Sequence, residues 1–221
     1  MTRSISHLHK FSGAAALAAL VVSAPLAVIP AAQAQSRAPA AAPQLTEAVN
    51  ALRAISTMRA DFVQTDRAGR SVRGVLTLQR PGKIRFQYEK GVPLLIVSDG
   101  AALTMVDYEV KQVQRWPIRN SPLGVLLDPN RDVTRYGTLQ PTNNPNVISV
   151  EVRDRSHPEY GVITLIFVRK ASAPGGLELS YWVALDSQNK QTRVQLSNQQ
   201  YGVAVAANMF RFNDPRTPTR R

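Results

Sequence analysis

Residues 78–100 read LQRPGKIRFQYEKGVPLLIVSDG. Two apolar runs are separated by Arg80-Pro81-Gly82, and an Asp-Gly pair closes the stretch. Alternation of apolar and polar side chains puts Ile84, Phe86 and Tyr88 on one face of a strand. An Asp-Gly pair next to an apolar run indicates a hairpin. The stretch therefore predicts neighbouring antiparallel strands, with one arginine at the turn between two of them.

Short strands of this kind recur along most of the chain. Turn residues separate eleven candidates, at 59–65, 72–79, 83–89, 94–98, 101–108, 110–116, 147–153, 162–169, 177–186, 192–198 and 208–212. Close spacing of short strands is typical of an antiparallel meander. The pattern predicts a mainly β domain over residues 45–215.

Two segments carry helical patterns instead. Between Leu45 and Met58, apolar residues recur every three or four positions, which predicts a helix with one face to bury. Ser121-Pro122 forms a helix start, with Leu123, Leu126 and Leu127 following on one side until Asp128-Pro129 ends it. A helix of barely two turns is unstable unless docked. It is either a lid over an apolar site or an ordinary connector.

The ends of the chain predict export. A basic start, an apolar run over residues 11–30 and the Ala-Gln-Ala of residues 32–34 are typical of a secretory signal peptide, which we expect to cover residues 1–34. A membrane anchor is the alternative, but no cluster of charges follows the apolar run. Residues 35–44 are rich in Pro and Ala and predict a disordered lead-in, and residues 216–221 form a basic tail. The protein is then expected to reside in the periplasm.

Composition argues against several functional classes. The 221 residues have a net charge of +12, no cysteine and three histidines, two of which belong to the predicted signal peptide. The remaining histidine, His157, lies in a turn-like stretch, and no nucleophile motif or phosphate-binding glycine loop occurs. We therefore predict no enzyme, no metal and no cofactor. The basic residues are scattered rather than concentrated among aromatic residues, which argues against binding to nucleic acid.

The strands with large apolar side chains are compatible with two kinds of structure. Together with amphipathic helices they form either a packed core or the lining of a cavity, and the residue pattern alone leaves both open.

Four motifs carry a resemblance to a known family. ADFVQT at residues 60–65, LQRPGKIRFQYE at residues 78–89, LLIVSDG at residues 94–100 and SPLGVLL at residues 121–127 resemble the LolA family of outer-membrane lipoprotein carriers. Residues 186–215 also resemble the closing segment of that family, in which a short helical turn leads into a last strand. The resemblance extends from about Leu45 to Pro215.

The resemblance implies a fold and a function. The fold would be an incomplete, strongly curved antiparallel β-barrel whose open side is covered by α-helices. Its cavity would hold the acyl chains of lipoproteins, with the lining we expect from Ile84, Phe86, Tyr88, Leu95, Val97, Leu123, Leu126 and Leu127. Arg80 would latch the covering helices shut by hydrogen bonds to their carbonyls; the alternative is a turn arginine in water.

The family also implies partners. A monomeric carrier would accept acylated lipoproteins from an inner-membrane LolCDE-type complex and pass them to an outer-membrane LolB-type receptor, if one is present. LolB shares the fold but is itself a lipoprotein, and this chain has no cysteine to lipidate. The alternative function is that of a periplasmic regulatory sensor of the same fold that binds lipid. Such sensors carry a second domain, for which this chain is too short.

Overall fold

Eleven strands in one antiparallel sheet make up most of the fold. A computed structural model describes residues 43–118, 124–127 and 133–216. The predicted signal peptide, Leu123 and most of the basic tail lie outside these residues. The strands are β1 (Thr57–Asp66), β2 (Ser71–Gln79), β3 (Lys83–Tyr88), β4 (Leu94–Asp99), β5 (Ala102–Asp107), β6 (Gln112–Pro117), β7 (Gly137–Gln140), β8 (Val147–Arg153), β9 (Val162–Arg169), β10 (Leu177–Leu185) and β11 (Gln191–Tyr201).

The strand order is β6-β5-β4-β3-β2-β1-β11-β10-β9-β8-β7. Two meanders, β1 to β6 and β7 to β11, are therefore joined where the first strand pairs with the last. Within the described residues β6 and β7 are the two edges and do not pair, so the sheet stays open. The predicted class, a mainly antiparallel and incomplete barrel with helices, is confirmed.

Among the described residues, three α-helices accompany the sheet: α1 (Pro43–Ala54), α2 (Gly124–Leu127) and α3 (Val133–Tyr136). The helical spacing predicted for α1 is correct, because Leu45, Ala48, Val49 and Leu52 are all buried. The helix nevertheless ends before the predicted Met58, since β1 begins at Thr57 and pairs with Gln79 of β2. Pairing within the sheet overrides the continuing helical pattern.

The sheet has two differently covered faces. We call the face on which α1 packs the inner face; it carries a single large apolar cluster that includes Phe62, Leu76, Phe86 and Trp182. The opposite, outer face carries a small cluster around Leu95 and Val97. The inner face is thus the main core of the domain.

One predicted strand is absent. Residues 208–212 form a turn and an extended segment rather than a strand, and the eleventh strand is instead the unpredicted β7. The carbonyls of Met209 and Arg211 accept hydrogen bonds from the Arg85 side chain rather than from a neighbouring strand. The predicted number of strands therefore equals the observed number, eleven, only because one predicted strand is absent and one observed strand was not predicted.

Candidate functional site

Aromatic rings form the centre of the inner face. The Phe62 ring meets the rings of Phe86 and Tyr88 edge-on, each at 5.3 Å between centroids. Phe86 in turn meets Trp182 edge-on at 6.1 Å. The predicted trio Ile84, Phe86 and Tyr88 is therefore brought together on this face, and each of the three side chains is buried. Edge-to-face pairs of this kind stabilise beyond the area they bury.

Tyr88 carries the one polar group of that trio. Its hydroxyl donates a hydrogen bond to Oε1 of Gln64 at 2.8 Å. Burial raises the pKa of Tyr88, and the hydrogen bond to Gln64 only partly opposes this. The phenol therefore stays neutral at physiological pH, and the inner face stays uncharged at this point.

Leu95 and Val97 do not join this face. Paired residues of adjacent strands point to the same side, and Leu95 pairs with Gln87 while Val97 pairs with Arg85. Both side chains are buried in the outer cluster, against Phe210. The prediction that they share a lining with Phe86 is corrected here: the residue of β4 opposite Phe86 is Ile96.

The short helix α2 covers part of the inner face. Of the three predicted leucines, Leu127 is buried in the inner cluster at 1% exposure. Leu123 lies outside the described residues, and so does the side chain of Leu126. The helix is real but short, with four residues from Gly124 to Leu127.

The turn that contains Arg80 is bonded to both covering segments. The backbone N–H of Arg80 donates to the carbonyl of Ser56, just after α1, at 2.9 Å. The N–H of Gly82 donates to the carbonyl of Leu127, at the end of α2, at 3.0 Å. The buried Ser98 hydroxyl donates to the Gly82 carbonyl at 2.7 Å, which ties the turn to β4. Two residues of one turn thus touch the ends of two helices.

The Arg80 side chain faces inward at this junction. It lines a cavity together with residues from the end of α1, the inner face and β10, namely Leu52, Ile55, Met58, Leu76, Leu78, Ile84, Leu179 and Trp182. The volume is about 10 Å³, the lower limit for a single water molecule. This cavity, as the described residues line it, is therefore too small for a ligand.

Helix α1 is fixed to the sheet by an ion pair and by close packing. Nη1 and Nη2 of Arg169, at the end of β9, donate to the two carboxylate oxygens of Glu47, a bidentate ion pair across the helix-sheet boundary. The turn at Gly175 also lies close to the helix, because a Cβ built at Gly175 would lie 2.8 Å from the Ala51 Cα. Between these two contacts the helix buries five apolar or small side chains.

Little else in the described residues offers chemistry. His157 is exposed and its Nδ1 lies 3.0 Å from Oε1 of Glu159. Across residues 43–118, 124–127 and 133–216, no group of three His, Cys, Asp or Glu side chains is placed to bind a metal. None of the helices in this part of the chain is long and apolar enough to cross a membrane.

Sequence reasoning missed two parts of the site. Phe62 and Trp182, which complete the aromatic cluster, lie on distant strands, and only the β1–β11–β10 pairing brings them beside Phe86. No local signal in the sequence identifies these neighbours. The outer cluster under residues 205–212 was also missed, because residues 208–212 were predicted as a strand.

The sequence is similar to those of several known proteins. A family model described as "Outer membrane lipoprotein carrier protein LolA" matches residues 53–213. An outer-membrane lipoprotein carrier protein of Methylobacillus flagellatus is 30% identical over 169 residues, 72% of this chain and 80% of that protein. The corresponding protein of Dechloromonas aromatica is 28% identical, with 72% and 78% covered. An uncharacterized protein of Rickettsia prowazekii is 30% identical over 109 residues, and this match spans about half of each chain, 49% and 51%.

Solved structures show weaker likeness. A LolA superfamily protein from Nitrosomonas europaea has 11% sequence identity and a TM-score of 0.46, with 76% of this chain and 96% of that chain covered. A structure of the Pseudomonas aeruginosa MucA/MucB complex has 16% identity and a TM-score of 0.45, with 79% and 62% covered.

Proposed function

Because the chain belongs to the LolA family of outer membrane lipoprotein carrier proteins, we propose that it carries lipoproteins through the periplasm from the inner to the outer membrane. Their acyl chains would be shielded against the inner face of the sheet. Each buried methylene group contributes about 0.8 kcal/mol, so a chain of a dozen methylenes cannot cross water unaided. The protein acts as a carrier and not as an enzyme.

The observation that carries the proposal is the continuous apolar inner face under a removable cover. Ile84, Phe86 and Tyr88 present this face, and α2 lies over it with Leu127 buried. A helix of four residues has little stability of its own and depends on its docking contacts. The face can therefore be exposed to an acyl chain without unfolding the sheet.

Loading requires the cover to open. A cavity of about 10 Å³ cannot hold an acyl chain, for which ligand sites of roughly 300 Å³ or more are usual. We expect α2 to move, whereas the Glu47–Arg169 ion pair and the Gly175 contact hold α1 in place. Arg80, at the junction of both covers, would act as the latch of the empty state.

The proposed partners follow from this route. The carrier would take its cargo from an inner-membrane complex of the LolCDE type and release it to a LolB-type receptor where one is present. It would work as a monomer in the periplasm after removal of its signal peptide.

A quenching experiment tests the site. Trp182 lines the cavity, so a fatty acid brominated along its chain should quench its fluorescence when the acyl chain reaches the inner face. A Trp116→Phe background removes the other tryptophan and isolates the signal. The matched control is Trp116→Phe/Trp182→Phe/Tyr181→Trp, because position 181 is the neighbouring residue in β10 and points to the outer face.

Saturable quenching of Trp182 with little quenching of the Tyr181→Trp reporter supports the proposal. Equal quenching of both reporters, or none, contradicts it. Mass spectrometry of protein purified from the periplasm should then show a bound acylated polypeptide.

A further inference from the structure

The outer face carries a groove that the proposed function does not use. It has a volume of about 550 Å³, within the range of ligand sites. Strands β11, β1, β2 and β3 form its floor, and residues 203–211 form its wall. Its lining is Arg59, Val75, Thr77, Arg85, Gln87, Gln200, Val203, Ala204, Val205, Asn208, Met209 and Arg211.

The wall is held in place by Arg85. Its Nη1 donates to the carbonyls of Met209 at 3.1 Å and Arg211 at 2.9 Å. Its Nε and Nη2 donate to Oε1 of Gln87 at 3.1 and 2.6 Å. At the other end of the wall, the Thr57 hydroxyl donates to the Val203 carbonyl at 2.9 Å. The groove is therefore preformed rather than a gap under a loose segment.

The lining is cationic without compensation. No carboxylate lines the groove. Arg59 and Arg211 are exposed, and within the described part of the chain neither forms an ion pair. Asp61, on the same face as Arg59, accepts a hydrogen bond from Nδ2 of Asn198 at 2.7 Å. Two guanidinium groups thus stand free at the groove for an anionic ligand.

We propose that this groove binds an extended, acidic segment of a partner protein. The exposed guanidinium groups of Arg59 and Arg211 suit carboxylates, which they can bind through two parallel hydrogen bonds. The side-chain amides of Gln200 and Asn208 supply both donors and acceptors, which a peptide backbone needs and a phosphate group does not. The apolar residues of the wall and floor can contact the uncharged side chains that lie between the carboxylates of the bound peptide.

The shape of the site distinguishes a peptide from a membrane. The cationic groups line a recess with a wall rather than a flat surface, which suits a narrow ligand better than a flat bilayer. An extended chain is such a ligand, because it is narrow and presents side chains on alternate sides. The groove also lies on the face opposite Phe86, so a partner can bind here whether or not the inner face holds lipid. The inference therefore does not depend on the proposed lipid site.

The test measures fluorescence anisotropy of a labelled octapeptide in which Glu alternates with Ser and Val, against the same peptide with Gln in place of Glu. We expect saturable binding of the acidic peptide only, weakened by added salt. Arg59→Glu and Arg211→Glu should each weaken binding about tenfold or more, since each removes a charge-assisted hydrogen bond. Addition of a fatty acid for the inner face should leave peptide binding unchanged.

Arg73→Glu is the matched control. Arg73 is an exposed residue of β2 on the same outer face, and it does not line the groove. Its reversal makes the same change in net charge and should leave binding within about twofold, a difference well below one hydrogen bond. An equal loss with Arg73→Glu would show general charge attraction and overturn the proposal.

Vesicles of phosphatidylglycerol and phosphatidylcholine form the second arm. If anionic vesicles bind and Arg59→Glu abolishes this while the acidic peptide shows no saturable binding, the groove takes lipid headgroups and the peptide proposal fails. Absence of saturable peptide binding overturns it in any case. Circular dichroism and thermal unfolding of each variant establish that the fold is intact.

Discussion

Arg80 lies at the junction where both covering helices end. Its side chain lines the closed cavity, while backbone bonds join its turn to Ser56 and Leu127. Arg80→Leu leaves those backbone bonds but removes the guanidinium. If the guanidinium latches the closed state, as proposed, its charge-assisted hydrogen bond contributes about 1.5–3 kcal/mol to that state, and loading must break it. We expect the variant to bind cargo roughly tenfold to a hundredfold more tightly and to release it poorly. Cargo occupancy and transfer to outer membranes measure both effects.

Two further variants sharpen this prediction. Arg80→Lys keeps the charge but loses the planar fork, so its transfer should fall between wild type and Arg80→Leu. Arg67→Leu is the control, because Arg67 is an exposed arginine in the turn between β1 and β2. Equal occupancy and equal transfer in Arg80→Leu and wild type would leave Arg80 as a turn residue, and the latch would lie elsewhere.

Two buried tyrosine hydroxyls make a matched pair. The Tyr88 hydroxyl donates to Gln64, whereas the buried Tyr201 hydroxyl has no hydrogen-bond partner among the described residues. Tyr88→Phe should therefore lower the free energy of unfolding by about 1 kcal/mol, and Tyr201→Phe should leave it unchanged or raise it. Urea denaturation of both variants measures the difference. A larger loss in Tyr201→Phe than in Tyr88→Phe would contradict these assignments.

The same tyrosines make the free energy of unfolding depend on pH in the alkaline range. Burial raises the pKa of Tyr201 to about 12, with the Glu178 carboxylate adding to the shift, and burial also raises that of Tyr88. Unfolded tyrosine ionises near pH 10, so the contribution of these groups is fully present below about pH 10 and is lost as pH rises toward the folded values. The free energy of unfolding should fall above about pH 10, and less steeply in Tyr201→Phe. Parallel pH profiles of the free energy of unfolding in Tyr201→Phe and wild type would contradict this prediction.

At the scale of elements, the docking of α1 depends on the turn beside it. Gly175 and Gly176 both have positive φ, +66° and +74°. A Cβ at Gly175 would lie 2.8 Å from the Ala51 Cα, whereas a Cβ at Gly176 meets nothing within 4 Å. Gly176→Ala should cost only the backbone strain, about 1–2 kcal/mol. Gly175→Ala should cost about 1–3 kcal/mol more, from overpacking against the helix. Chemical denaturation of the pair tests this, and equal losses would mean that α1 adjusts freely.

Sequence patterns predicted strands and helices best where the local pattern of apolar residues agrees with the long-range packing. The alternation in β3 placed Ile84, Phe86 and Tyr88 correctly, since one side of that strand meets the main core. The pattern in β4 could not place Leu95 and Val97, because both sides of that strand are apolar and only the register with β3 separates them. Residues 208–212 read as a strand, yet a guanidinium from β3 satisfies their carbonyls. Such a distant partner leaves no local signal.

In the molecule as a whole, the two faces of the open sheet are covered by different segments of the chain. The inner face is covered by helices, and α1 is fixed there by an ion pair and close packing. The outer face is covered by residues 205–212, fixed by Arg85 and Phe210. Of these covers, α2 has only four residues, as has α3, and a helix of that length depends on its docking contacts. Opening by the least stable element is the general expectation for a protein that must admit a ligand.

Hydrogen exchange at two backbone amides of the Arg80 turn can show which covering helix moves when lipid binds. These two donors are two residues apart, and Arg80 N–H is bonded to Ser56 after α1 while Gly82 N–H is bonded to Leu127 of α2. If a fatty acid displaces α2 alone, hydrogen exchange at Gly82 should accelerate about fivefold or more, as expected for the loss of one backbone hydrogen bond. Exchange at Arg80 should stay unchanged, which makes it an internal control. Amide-resolved NMR exchange with and without the fatty acid gives both rates. Acceleration at both amides would mean that α1 leaves as well, and acceleration at neither would mean that α2 is a static connector.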